Sequence, residues 1–183
     1  KKRVGLRRRW FLNTVGVVCT LGLACVLAAT AVFAYFQYSN LEAALRYSAQ
    51  STVDALDKLP MGDADQLGNY FKNISAFARG DEQHQLLSPD GTILVSSCEG
   101  KADCDFIASD VEEAISNRGS GAFLGEDPLL GYRVMAVSEA VINESGELIG
   151  IIRFISPMNR VDTQILLVAL FAVLVLVLIT AVV

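Results

Sequence analysis

Histidine is almost missing from this sequence: one residue, His84, in 183. No Ser-His-Asp set, Gly-rich phosphate loop or carboxylate pair at useful spacing occurs, so these residues are expected to catalyse nothing. His84 stands just before a β-prone run and reads as a surface or strand-edge residue. Internal repeats and low-complexity linkers are absent as well. Charge is missing from whole segments. Residues 11–36 and 165–183 carry none, and no acidic residue precedes Glu42 or follows Asp162.

What fills those segments is apolar. With a hydrophobic fraction of 52% and a mean hydropathy of +0.42, the chain is too apolar for an ordinary soluble domain, and the excess is local. Residues 11–36 are long enough as a helix to cross a hydrocarbon core of about 30 Å, and so are residues 165–183. The first residue is not Met and the sequence stops inside the second run, so it reads as an excerpt of a longer protein. Lys1, Lys2, Arg3, Arg7, Arg8 and Arg9 precede the first run. By the positive-inside rule residues 1–10 are cytoplasmic and residues 37–164 lie outside the cell membrane. That outer segment holds all 20 acidic residues and nine basic ones (15 less the six at the N-terminus), a net charge of −11. Such a surface repels phosphate, which excludes nucleic acid as a partner. Trp10, Tyr35, Phe36 and Tyr38 stand where interfacial rings belong. A cleavable signal ending at Ala29-Thr30-Ala31 is disfavoured because the apolar run continues past it. A lipoprotein site at Cys25 is disfavoured by Gly22 and by the apolar residues that follow.

Of four cysteines, Cys19 and Cys25 fall inside the first run, whereas Cys98 and Cys104 lie outside in the polar loop SSCEGKADCDF. An oxidising exterior permits a disulfide between the outer two, and that bridge is favoured over two free thiols. A metal site using Glu99, Asp103 and Asp105 is disfavoured, since the loop has no His and no second Cys pair completes a zinc set.

Between the apolar runs the pattern alternates helical and extended periods. Leu41, Leu45, Ala49, Val53 and Leu56 recur at spacings of three and four, which predicts that the first helix runs on until Pro60 and Gly62. A second helix capped by Asp63 carries the stripe Leu67, Tyr70, Phe71, Ile74 and Phe77. HQLLSPDGTILVSS reads as a hairpin about the turn Ser88-Pro89-Asp90-Gly91. Phe106, Ile107, Val111, Ala114 and Ile115 predict a short helix closed by Asn117 and Gly119. Three strands follow, GAFLGE, YRVMAVSEAVI and ELIGIIRFIS, the last two joined by Asn143-Glu144-Ser145-Gly146. The order predicts an α+β domain with a five-stranded antiparallel sheet and helices on both faces.

SPDGTILVSS resembles the hairpin of extracytoplasmic PAS-like (Cache/PDC) sensor domains, and VMAVSEAVINESGELIGIIRFISPMNRVDTQI resembles their closing half. The likeness covers residues 83–183 and is nearest to phosphate-type and cell-wall-type sensor histidine kinases of Gram-positive bacteria. Ser96 and Ser97 replace the usual Asp-Ser, and the cysteine loop is unusual. The resemblance implies a two-component parent in which a linker, a phosphoacceptor helix and a domain using ATP and Mg follow residue 183, with a response regulator as partner. His84 lacks the His-Glu neighbourhood of a phosphoacceptor. A homodimer is expected, with Thr20, Ala24 and Ala28 as close-contact positions.

The resemblance also gives a meaning to the abrupt passage from strand to apolar helix. Ser156, Pro157, Asn159 and Asp162 are the candidate signal-coupling residues: Pro157 ends the strand and Asn159 or Asp162 begins the helix. Tyr132, Arg133 and Arg153 are the candidate ligand-binding residues. Arg153 shares a strand face with Ile149, Ile151 and Ile155, so it pairs with a carboxylate such as Glu139 or serves an anionic ligand; the pairing is favoured. The alternatives to a kinase sensor are the same module in a chemoreceptor or cyclic-dinucleotide enzyme, or a membrane-tethered envelope binding protein.

Overall fold

The computed structural model describes residues 6–57, 68–69, 71, 82–97, 109–127, 132–143 and 145–182. The elements are α1 (Leu6–Asp57), β1 (Gln83–Leu87), β2 (Ile93–Ser96), α2 (Ser109–Asn117), β3 (Ser120–Asp127), β4 (Tyr132–Ile142), β5 (Leu148–Pro157) and α3 (Asn159–Val182). They fall into two compact units, one of residues 1–38 with 160–183 and one of residues 39–159. Cys98, Cys104 and the Asp63 cap lie outside the described residues, as does the second predicted helix apart from Gly68, Asn69 and Phe71.

In the second unit the strands form one antiparallel sheet in the order β2-β1-β5-β4-β3, so β5, the last in sequence, is central. Both hairpins close on the residues whose chemistry marks them as turns. In the first, the Ser88 amide donates to the Thr92 carbonyl at 2.8 Å, the Gly91 amide donates to the Ser88 carbonyl at 2.9 Å, and Gly91 has φ 89°. Asp90 accepts from the Ser88 hydroxyl and from the Thr92 amide, which hold its carboxyl below the ordinary carboxylate range. In the second, the Asn143 side chain accepts from the amides of Ser145 and Glu147 at 3.0 and 2.8 Å.

Side-chain alternation sends successive residues to opposite faces. One face of β5 carries Ile151, Arg153 and Ile155, under α2. Leu87 and Ile151 pack there with Val111 and Ala114 of α2, and Val134, Ala136 and Ile155 form a second cluster with Phe123. The other face takes the C-terminal part of α1, whose buried residues Leu45, Ala49, Thr52 and Leu56 follow the helical period. The predicted stripe had Val53 in place of Thr52. Thr52 is buried because its hydroxyl donates back to the Ser48 carbonyl at 2.8 Å. At the end of α2 the left-handed position falls to Arg118 (φ 50°) rather than to Gly119.

Among the described residues, two helices are long and apolar enough to cross a membrane, within Asn13–Leu56 and Asn159–Ala181.

Candidate functional site

The register aligns one residue from each strand in a row across the face under α2: Ser96, Gln85, Arg153, Ser138 and Gly121. Arg153 stands in the middle, 1% exposed. Its Nε and Nη2 donate to Asp110 Oδ2 and Oδ1 at 2.8 and 3.1 Å, a two-point grip on a carboxylate that is itself fully buried. Nη1 donates to Gln85 Oε1 at 3.2 Å, and the Ser138 hydroxyl donates to Asp110 Oδ2 at 2.7 Å. Gly121 completes the row because a Cβ there would fall well inside van der Waals distance of the Asp110 carbonyl; only hydrogen lets the start of α2 sit so close.

The carboxylate that neutralises Arg153 is therefore Asp110, not Glu139. Glu139 follows Ser138 in β4 and so points to the opposite face. There, burial pushes its carboxyl up, Arg46 pulls it down and Asp54 pushes it up again. Arg46 also pairs with Glu42 at 2.9 Å and donates to the Ser120 hydroxyl.

His84 is also corrected. It is 6% exposed, because β1 is flanked by β2 and β5 and its side chain turns under the α1 face. Its ring lies 4.3 Å from that of Phe154, and among the described residues neither ring nitrogen has a hydrogen-bond partner. Glu82 approaches only to 4.0 Å. Burial lowers its pKa, so the neutral ring is favoured.

At the strand-to-helix joint, Ser156 and Pro157 still pair with Met135 and Val134 of β4, and α3 opens at Asn159 rather than at Asp162. One residue, Met158, separates strand from helix. Its side chain is fully buried and its amide donates to the Arg133 carbonyl at 2.9 Å. Pro157 thus ends the strand without releasing the chain.

The three candidate ligand residues do not converge. Arg133 is exposed and belongs to the face opposite Arg153. Tyr132, 36% exposed, shares the face of Arg153 but lies six positions along β4 from Ser138, about 20 Å at strand rise. Asp110, Gln85, Ser138 and the burial of His84 escaped sequence reasoning. The one available signal was Arg153 itself, since a guanidinium on a buried strand face demands a counterion.

No family model matches this sequence, and no curated protein does. Solved structures do match. The ligand-binding domain of the Campylobacter jejuni chemoreceptor Tlp3 in complex with L-valine superposes with a TM-score of 0.56 at 15% identity, over 81% of this chain and 66% of that one. The sensory domain of the same receptor with isoleucine bound gives 0.53 at 15% identity, over 81% and 65%. The Escherichia coli DcuS sensor domain gives 0.47 at 18% identity, over 68% and 96%. This chain spans about two thirds of the Tlp3 domain's length. At these identities the likeness is one of fold: a five-stranded antiparallel sheet with flanking helices, of the Cache/PDC sensor type.

Proposed function

We propose that the chain is the signal-sensing and transmembrane signal-transducing part of a two-component sensor histidine kinase, of the phosphate or cell-wall type of Gram-positive bacteria. The observation that carries this reading is the sheet of Cache/PDC type set in the chain between two apolar helices, with its central strand one residue from the second of them. In this reading residues 1–10 are cytoplasmic, residues 11–36 and 165–183 cross the membrane, and residues 37–164 sense outside it as a homodimer. ATP, Mg and the response regulator belong to the part that follows residue 183. The stimulus is an extracytoplasmic ligand or protein. Arg153 serves the frame, because its charge is already spent on Asp110, and it holds α2 to the strand that leads to α3.

The likeness to a chemoreceptor domain favours a second reading, the same module feeding a chemotaxis output. A His-Glu helix pair and an ATP lid after residue 183 would mark the kinase; a long methylatable coiled coil would mark the receptor.

The test is two insertions of Gly-Gly, one after Met158 and one in the turn Asn143–Gly146. Phosphorylation of the full-length parent in membranes should lose its response with the first and keep it with the second, because flexible residues absorb a shift that a one-residue joint passes on. An unimpaired response with both would reduce the joint to a tether and overturn the transducing role.

A further inference from the structure

The two apolar helices of the first unit meet along a narrow seam. On α3 the partly covered residues begin with the adjacent Val161 and Asp162 and continue through Ile165, Ala169, Ala172, Leu176 and Thr180, which from Asp162 onward follow at spacings of three and four. This is the period of two helices wound about each other. Three contacts fix which residues face which. Cys19 Sγ lies 3.9 Å from Thr180 Oγ1; Gly22 faces Leu176 so closely that a Cβ would clash with its Cδ1; and the Tyr38 hydroxyl donates to Asp162 Oδ1 at 2.8 Å. Moving 19 residues along α1, from Cys19 to Tyr38, moves 18 back along α3, from Thr180 to Asp162. That is one antiparallel register held over about 27 Å, close to the thickness of a hydrocarbon core.

We infer that the hydrogen bond between Tyr38 and Asp162 is a latch that sets the register of the two membrane helices within one chain, and that a signal acts by opening it. In lipid no hydrophobic force selects among registers, because the tails are as apolar as the side chains, so packing of small residues and polar bonds must choose. Gly22, Ala169 and Ala172 allow close approach. Apolar faces of this kind accept a slide along the helix axis with modest loss. A hydrogen bond does not: a slide of one residue, about 1.5 Å, exceeds the range in which it survives. Asp162 also bonds across the seam only three positions beyond Asn159, so a displacement of β5 reaches it before Leu176 or Thr180. The stripe Thr20, Ala24 and Ala28 is exposed and turned away from Gly22, so pairing with α3 leaves it open to a second copy. The inference rests on the transducing role proposed above.

The experiment uses a thiol already present. In the full chain, with Cys25, Cys98 and Cys104 replaced by Ser, Cys19 is paired with Thr180→Cys or, one turn away, with Leu176→Cys. Each is oxidised in membranes with copper phenanthroline. The latched register predicts a cross-link within one chain that forms at least about tenfold faster at position 180 than at 176. Tyr38→Phe and Asp162→Asn should each bring that ratio close to one. No intrachain product at 180 would overturn the register, and an unchanged ratio in both variants would overturn the latch. The same variants in the full-length parent separate this inference from the reading beneath it. If Gly-Gly after Met158 abolishes the response while Tyr38→Phe alters neither ratio nor response, the latch fails and the transducing role stands; if neither change touches the response, both fail.

Discussion

The two faces of the sheet handle buried polarity in opposite ways. Under α2 the charge of Arg153 meets Asp110 in a two-point pair, and Gln85 and Ser138 fill further sites on the guanidinium and the carboxylate. Under α1 the buried imidazole of His84 lies against an aromatic ring with no hydrogen-bond partner among the described residues, and Glu139 sits half-buried between one cation and another carboxylate. A matched network specifies a structure strongly and resists change, whereas unmatched groups leave a face sensitive to its surroundings. The first face acts as a frame, and the second is where stability is expected to depend on pH.

The largest effect should come from breaking the frame. Arg153→Met alone leaves Asp110 charged and buried, and is expected to cost about 3–5 kcal/mol, whereas the double change with Asp110→Leu should recover most of the loss. Chemical unfolding of the chain in detergent micelles, followed by circular dichroism, measures both; a double variant as unstable as the single one would mean that the pair itself supplies the stability. Gly121→Ala comes next, at about 1–3 kcal/mol, because the added methyl pushes the start of α2 off the sheet.

On the other face the expected effects are smaller and depend on pH. Since burial lowers the pKa of His84 below its unfolded value of 6.5, the unfolded chain takes up a proton before the folded one does. Its contribution is complete above that value and is lost as pH falls through the folded pKa. His84→Leu should abolish this slope between pH 7.5 and 5 and add about 1 kcal/mol at neutral pH by removing two unpaired ring nitrogens. A slope unchanged in the variant would assign it to other groups. Glu139→Gln should have the smallest effect and the opposite sign with pH. Its pKa is raised, so stability is present in acid and lost as pH rises through the folded value. The variant should be slightly more stable than the parent at pH 7, and the difference should vanish near pH 4.

Much of this was legible in the residues themselves. Ser88-Pro89-Asp90-Gly91 and Asn143 to Gly146 carry their turn chemistry within four positions, the strands alternate within ten, and the apolar runs need only counting. The stripe on α1 and the joint at Pro157 were legible for the same reason, since each depends on neighbours in sequence. Arg153 announced the need for a counterion but not which one.

Among the described residues, the sequence by itself determined the elements, their order and the two apolar helices, because these follow from local preferences and from the period of hydrophobic residues. Only the tertiary structure decided that Arg153 meets Asp110, 43 residues away, and not Glu139; that His84 is interior; and that Tyr38 meets Asp162 across 124 residues. Strand order and register make those choices. A shift of one residue in β1 or β5 would turn His84 or Arg153 to the other face, and no local propensity records which neighbour a strand or helix will take.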